Sequence, residues 1–314
     1  TPYMQTWTAN IQHQLTNSLM FEVDYAGATG MNLAQSYNPN EVGLQTNVNQ
    51  TLAQRRLLQP LNQVPTIFYV DWRGRSSFHS LQTKVSKRYS SGIQLLAAYT
   101  WGKSLDYAGS VGYGGGQTGG PQTVTCLDCN RGPSGFDVRH RAVVSYVWDL
   151  PFGNGRRYDA HNRFGNALIG GWQFSGITTL TTGRPFNVSL ATGVNNGSPS
   201  WPDRVCDGRL DNRTADRWFD TSCFVAPAPN TYGNVGRGIL YSPGHINFDT
   251  SFVKNNRFGP DSRLNLQFRF EAYNLFNTPY LGFPNASVGS PSIGRITSTV
   301  ADNRSLQLAM KFEF

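Results

Sequence analysis

The sequence predicts an all-β protein whose antiparallel strands cross a membrane as a β-barrel, and three features carry that prediction. Charged residues are 15% of the 314, aromatics are 13%, and there are 33 Gly and 17 Pro; few charges with many aromatics and turn formers favour strands over helices. Polar and apolar residues alternate in segments about as long as a tilted strand needs to cross a bilayer. The connections between those segments are alternately short and long, as at the two ends of a transmembrane barrel. No run approaches eighteen consecutive apolar residues, which excludes a spanning helix and leaves a barrel open, because alternating strands average near neutral hydropathy. The mean hydropathy of −0.40 does not discriminate between the two.

In chain order the first pair is "WTANIQHQL" (7–15) and "LMFEVDYAG" (19–27), joined by "TNS". In the second of these, Leu19, Phe21, Val23 and Tyr25 share one face while Glu22 and Asp24 take the other, since successive side chains of a strand point to opposite sides. "LQTKVSKRY" (81–89) and "IQLLAAYTW" (93–101), joined by "SSG", make a second hairpin. "RAVVSYVWDL" (141–150), "GWQFSGITTLTTG" (171–183), "INFDTSFVK" (246–254) and "LNLQFRFEAYNLF" (264–276) follow. The terminal "SLQLAMKFEF" (305–314) brings the count to about nine and places Leu306, Leu308, Met310, Phe312 and Phe314 on one face.

Short connections are expected at 16–18, 90–92 and 259–263, with a middling one at 153–168; long ones are expected at 28–77, 102–140, 184–245 and 277–303. A soluble β-sandwich also alternates its strands. Against it stand loops of this length, uncommon in compact domains, and aromatics gathered toward strand ends (Trp7, Tyr25, Tyr89, Tyr99, Trp101, Trp148, Trp172, Phe312, Phe314), where interfacial girdles sit. If the short turns are periplasmic, counting back nine strands from the last puts Thr1 outside the cell. A single-chain bacterial barrel has an even strand count with both ends in the periplasm, so further strands are expected upstream.

Lys and Arg exceed Asp and Glu by 27 − 19 = 8, yet they are scattered, with neither a basic helix nor an aromatic RNA motif, and no nucleic-acid partner is expected. Cys126, Cys129, Cys206 and Cys223 lie in loop sequence. The Cys206 to Cys223 spacing is too wide for a zinc knuckle. Three pairings are open to four cysteines, and two loop disulfides, Cys126 with Cys129 and Cys206 with Cys223, are the expectation, implying an oxidising compartment. "WGKS" (101–104) lacks the glycine a phosphate loop needs, that position being Ala97. The Gly-rich run 112–120 reads as a mobile loop piece. The five histidines are far apart and no G-x-S-x-G elbow occurs, so neither an enzyme nor a cofactor is expected.

The runs "LQTKVSKRYSSGIQLLAAYTWGKSLD", "FDVRHRAVVSYVWDLPFG", "GGWQFSGITTLTTGRPFNV", "FRFEAYNLFNTPYLGFPN" and "GRITSTVADNRSLQLAMKFEF", in this order and spacing, resemble the carboxyl-terminal part of TonB-dependent outer-membrane transporters of the Oar-like, carboxypeptidase-regulatory-domain-containing group. The resemblance implies a 22-stranded barrel closed around an amino-terminal plug and energised through TonB. Thirteen upstream strands with the nine seen here would complete it. The plug and those strands are then partners of residues 1–314, along with outer-membrane lipid. In the family the last strand pairs with the first and its terminal aromatic presents the chain to the barrel assembly machinery, a position that Phe314 matches.

The alternation places Glu22, Asp24, Gln82, Lys84, Asn265, Gln267, Arg269 and Glu271 toward the lumen or the plug. Ligand-facing candidates lie in the 184–245 loop: Trp201, Asp203, Arg204, Asp207, Arg217, Trp218 and Asp220, aromatics with Arg and Asp close to a disulfide. The Pro-rich pieces "SPSWPD" and "APAPN" favour extended lid segments over a buried domain. The expected function is recognition and energised uptake of a scarce nutrient such as a carbohydrate, a peptide or a metal chelate. The competing readings are a non-transporting outer-membrane adhesin and a soluble lectin-like β-protein; the latter would leave washed membranes without detergent.

Overall fold

The computed structural model describes residues 1–43, 49–58, 60–65, 67–107, 122–123, 125–126, 128–191, 201–228, 231–258 and 264–314. Nine long strands form one antiparallel sheet: β1 (Tyr3–Thr16), β2 (Leu19–Tyr37), β3 (Tyr69–Ser90), β4 (Ile93–Asp106), β5 (His140–Asp149), β6 (Trp172–Thr181), β7 (His245–Phe258), β8 (Leu264–Tyr273) and β9 (Ser305–Glu313). Each pairs with the next in sequence, an up-and-down meander, and β1 and β9 are its two free edges among the described residues.

The register turns alternation into two chemically distinct walls. Ile93, Trp148, Phe174, Phe252, Phe270 and Leu308 are successive cross-strand partners from β4 to β9. All six are apolar, yet five are 36% to 80% exposed, and no second sheet of comparable size covers them among the described residues. Asn10, Asp24, Gln82, Thr100, Arg141, Thr181 and His245 are likewise successive partners from β1 to β7, on the opposite face, and all are polar. A sandwich buries its apolar face against another layer. A sheet that leaves aromatic rows bare on one side and lines the other with hydrogen-bonding groups is built for hydrocarbon outside and water inside.

Two turns at one end are tight. Residues 17 and 18 join β1 to β2, and Ser91 and Gly92, at φ +53° and +79°, join β3 to β4. Two consecutive positive φ values give the turn whose twist matches a hairpin, and glycine takes the second without strain. The β5–β6 connection at this end, residues 150–171, holds a short helix, α1 (Arg163–Ile169), capped by Asn162, whose Oδ1 accepts from Gly165 N at 2.6 Å; sequence reading gave only a middling connection there. The connection 259–263 lies outside the described residues, as does the Gly-rich run 112–120.

At the opposite end the four long connections are 38–68, 107–139, 182–244 and 274–304. The first is shorter than the expected 28–77, because β2 and β3 stay paired as far as Tyr37 with Tyr69. Small residues such as Ala26, Gly27, Gly30, Ser76 and Ser77 hide the alternation there, and backbone pairing continues without an apolar face. The third connection departs further from expectation. It is no extended lid: Phe186, Val188, Trp201, Phe219, Cys223, Phe224, Val235 and Leu240 form a buried cluster. Since the strands turn their apolar face to lipid, this loop assembles its own core, where each buried Phe contributes about 1.5–3 kcal/mol. Pro202, from "SPSWPD", is among the fully buried side chains. Residues 198–200 and 229–230 of the two Pro-rich pieces fall outside the described residues.

Candidate functional site

The residues expected to face the lumen share the polar wall but form two separate clusters. On β2 and β3, Lys84 Nζ pairs with Glu22 Oε2 at 2.9 Å, and the Asn10 amide donates to Glu22 at 3.1 Å and to Asp24. Gln82 Nε2 donates to Ser80 Oγ at 3.3 Å. On β8, Arg269 lies 3.6 Å from Glu271, and the Asn265 amide donates to Asn255 Oδ1 at 3.1 Å and Glu313 Oε2 at 3.0 Å. Gln267 Nε2 donates to the same Asn255 oxygen at 2.9 Å. Each cluster satisfies most of its own polar groups, as a wetted wall requires.

Where the polar wall meets the long loops there is a cavity of about 350 Å³. Its floor is Thr100 and Arg141 from the polar row, and its sides include Phe78, Phe136, Asp137, Arg184, Tyr280 and Phe283. Asp137 is committed: its Oδ1 accepts from Ser104 N at 2.7 Å, and Arg139 lies 3.3 Å from its other oxygen. Arg184 sits over the Phe283 ring at 5.1 Å. Beside the cavity His245 stacks on Tyr280 with ring centroids 4.0 Å apart and planes 12° apart. The Arg141 side chain has no ion-pair or hydrogen-bond partner among the described residues, and the residue is exposed; Phe136 is 68% exposed. A free guanidinium among aromatic faces and hydroxyls suits a solute carrying both an anionic group and an apolar surface.

The ligand-facing candidates of the third loop are largely occupied in building it. Trp201 is buried in the loop core, a correction to its expected exposure, and Trp218 packs against that core with Nε1 donating to Tyr241 O at 2.7 Å. Both are large apolar groups on a segment that has to supply its own packing. Arg204 Nε donates to Cys206 O at 2.9 Å, and its guanidinium also pairs with the Asp207 carboxylate. Asp203 Oδ1 accepts from Asn234 N at 3.1 Å. Asp220 accepts from the Ser222 hydroxyl at 2.8 Å and from its backbone N–H at 3.2 Å, bonds that hold its pKa below the ordinary carboxylate value, with Arg217 3.6 Å away. Disulfides join Cys206 to Cys223 beside the core and Cys126 to Cys129 in the second loop. Among the described residues no three of His, Cys, Asp and Glu come together in a metal-holding group.

Hydrogen bonds join the four loops into one cap. Thr123 Oγ1 donates to Glu41 at 2.6 Å, linking the first loop to the second. Arg237 of the third donates to Asn130 O and Pro133 O of the second, each at 3.0 Å. Trp218 N donates to Gly294 O at 2.9 Å and Ile296 N to Ala215 O at 2.7 Å, linking the third to the fourth. Sequence reasoning singled out neither Arg141 nor Arg237. The strand segment 141–150 begins with Arg141, and its polar-wall parity was the available signal; for Arg237 there was none.

A family model described as "Outer membrane beta barrel domain" matches residues 1–307. Among solved structures, the outer membrane transporter YddB from Escherichia coli aligns over 100% of this chain and 33% of its own, with a TM-score of 0.52 at 9% identity. The unliganded ferric citrate transporter FecA aligns over 99% and 31%, at a TM-score of 0.44 and 13% identity. The FrpB iron transporter from Neisseria meningitidis aligns over 98% and 31%, at 0.42 and 9%. This chain spans about a third of the length of these structures. No curated protein matches it.

Proposed function

The chain belongs to the outer membrane β-barrel domain family, and from that premise we propose that it is the carboxyl-terminal part of a TonB-dependent transporter barrel that captures a scarce solute at the cell surface and passes it inward past a plug. The observation that carries this reading is the polar row from Asn10 to His245, of which Thr100, Arg141 and Thr181 line a cavity shared with residues of the long loops. A wall that is wetted from strand to strand and capped at its outer mouth is the arrangement a gated conduit needs.

In this reading Arg141, Phe136 and Tyr280 contact the solute, and Asp203, Arg204, Asp207, Arg217 and Asp220 form the outer rim it meets first. Glu22, Asp24, Gln82, Lys84, Asn265, Gln267, Arg269 and Glu271 face the lumen and the plug. The plug, the upstream strands and TonB are its partners, with Phe314 the assembly signal. The motif order in the sequence supports the narrower Oar-like grouping. Carbohydrates, peptides and metal chelates are the solute classes, and the unpaired Arg141 favours those bearing a carboxylate.

The test is growth of cells expressing the full-length protein on single limiting nutrients, with and without functional TonB. Uptake that depends on both the protein and TonB is expected for at least one nutrient. Growth indifferent to TonB, together with retained surface attachment, would replace transport by the adhesin reading.

A further inference from the structure

The short-turn end of the sheet carries an apolar surface that no strand and no loop core uses. Helix α1 lies in the β5–β6 connection and holds Phe164 and Leu168 four residues apart, on one face of the helix. They are 82% and 65% exposed. Phe152 and Tyr158, with ring centroids 5.3 Å apart and planes tilted by 33°, add to the surface from the same connection.

The helix is fastened to the apolar wall. Lys254 on β7 is the cross-strand partner of Trp172 and of Phe268 and has the parity of Phe252, so it belongs to the row that faces lipid. Its ammonium does not stay in that row bare. It donates to Ala167 O at 2.7 Å and to Gly170 O, the carbonyls that end α1, and lies 5.7 Å from the Trp172 ring centroid. Trp172 Nε1 donates to Leu168 O at 3.1 Å. A lysine and a tryptophan of the outer wall thus hold the helix against that wall, with its apolar side chains open. Arg156, Arg157 and Arg163 of the same connection are exposed.

We propose that this connection is an interfacial anchor: Phe164 and Leu168 enter the acyl layer of the periplasmic leaflet, and the surrounding arginines lie at the level of phospholipid phosphates. The occupant is the leaflet's own phospholipid because the surface is continuous with the lipid-facing rows through Trp172 and Phe252. An apolar helix face flanked by cations is also what an interfacial segment presents. Arginines match phosphate oxygens in geometry as well as charge. A connection that is simply periplasmic would expose these side chains to water.

Nitroxide labels on Phe164→Cys and Leu168→Cys of the full-length protein test this, after reconstitution in vesicles of phosphatidylethanolamine and phosphatidylglycerol. Both positions are exposed, so the substitutions leave packing intact. Labels on Leu308→Cys, in the lipid-facing row, and Asn154→Cys, on the exposed part of the same connection, serve as references. The expected result is preferential collision with oxygen over a water-soluble nickel complex at 164 and 168, as at 308. Nickel accessibility at both positions equal to that at 154 would overturn the proposal and leave the surface to a periplasmic protein.

Discussion

Arg237 and Asp106, 131 residues apart, are joined by a salt bridge in which the arginine side chain is completely buried. The same guanidinium donates to Asp106 O at 2.9 Å and reaches Asn130 O and Pro133 O. It closes the third loop onto the end of β4 and onto the second loop, satisfying carbonyls that would otherwise be buried without partners.

Replacing Arg237 by Met should cost the cap about 3–5 kcal/mol, the range for breaking a buried pair from one side, and leave the strands intact. Hydrogen exchange should show faster exchange in 128–139 and 231–244 with unchanged protection in β6 and β7. Faster exchange throughout the sheet would mean that the clamp serves the barrel and not the cap.

Opening the Cys206–Cys223 disulfide by a double Ser substitution should weaken the third loop by about 2–4 kcal/mol. The Phe219 and Phe224 packing beside it should become accessible to protease, whereas the same change at Cys126 and Cys129 should have a smaller effect, because that bridge closes a loop with a sequence separation of only 3. Limited proteolysis of the two variants in intact cells measures the difference, and equal sensitivity would contradict the role given to the longer bridge.

Phe252 sits mid-strand in the apolar row, between Phe174 and Phe270. Phe252→Arg should destabilise the folded barrel in lipid by about 2–4 kcal/mol, whereas Ser251→Arg, on the polar wall, should cost far less. Reversible urea unfolding from vesicles compares them, and an inverted order would reverse the assignment of the two walls.

Asp159 organises the connection that carries α1. Its carboxylate accepts from the Asn166 side chain at 2.7 Å and from the backbone N–H groups of His161 and Gly155, and these bonds hold its pKa below the ordinary value. A depressed folded-state pKa stabilises above the unfolded value near 3.8, and that stabilisation disappears as pH falls through the folded value. A nitroxide at position 164 should therefore gain mobility on acidification below about pH 4, and Asp159→Asn should already be mobile at neutral pH and lose this response.

Arg141→Gln should weaken solute capture by about tenfold or more, since a charge-assisted hydrogen bond contributes about 1.5–3 kcal/mol, without altering barrel stability. Binding of the nutrient identified by the growth test, followed by calorimetry on both proteins, checks this; an unchanged affinity removes Arg141 from the solute site.

All nine strands were legible because period-two alternation is a property of neighbouring residues and survives in any context that wets one wall and greases the other. The upper halves of β2 and β3 were not, since Gly30, Ser76 and Ser77 carry no hydropathic signal while their backbones still pair. The mouth cavity was legible only in part: Thr100 and Arg141 follow from strand parity, but Phe136 and Tyr280 come from loops whose course no local pattern records.

The amino-acid order alone determined which segments are strands, which side chains share a wall and which end has tight turns, all of which depend on contacts between near neighbours. Tertiary structure alone decided that Arg237 meets Asp106, that Glu41 meets Thr123 and that Lys254 ties down the helix ending at Ile169. Those pairs are separated by 131, 82 and 87 residues. Whether such distant groups meet depends on the desolvation and packing of the whole cap, to which the local sequence is blind.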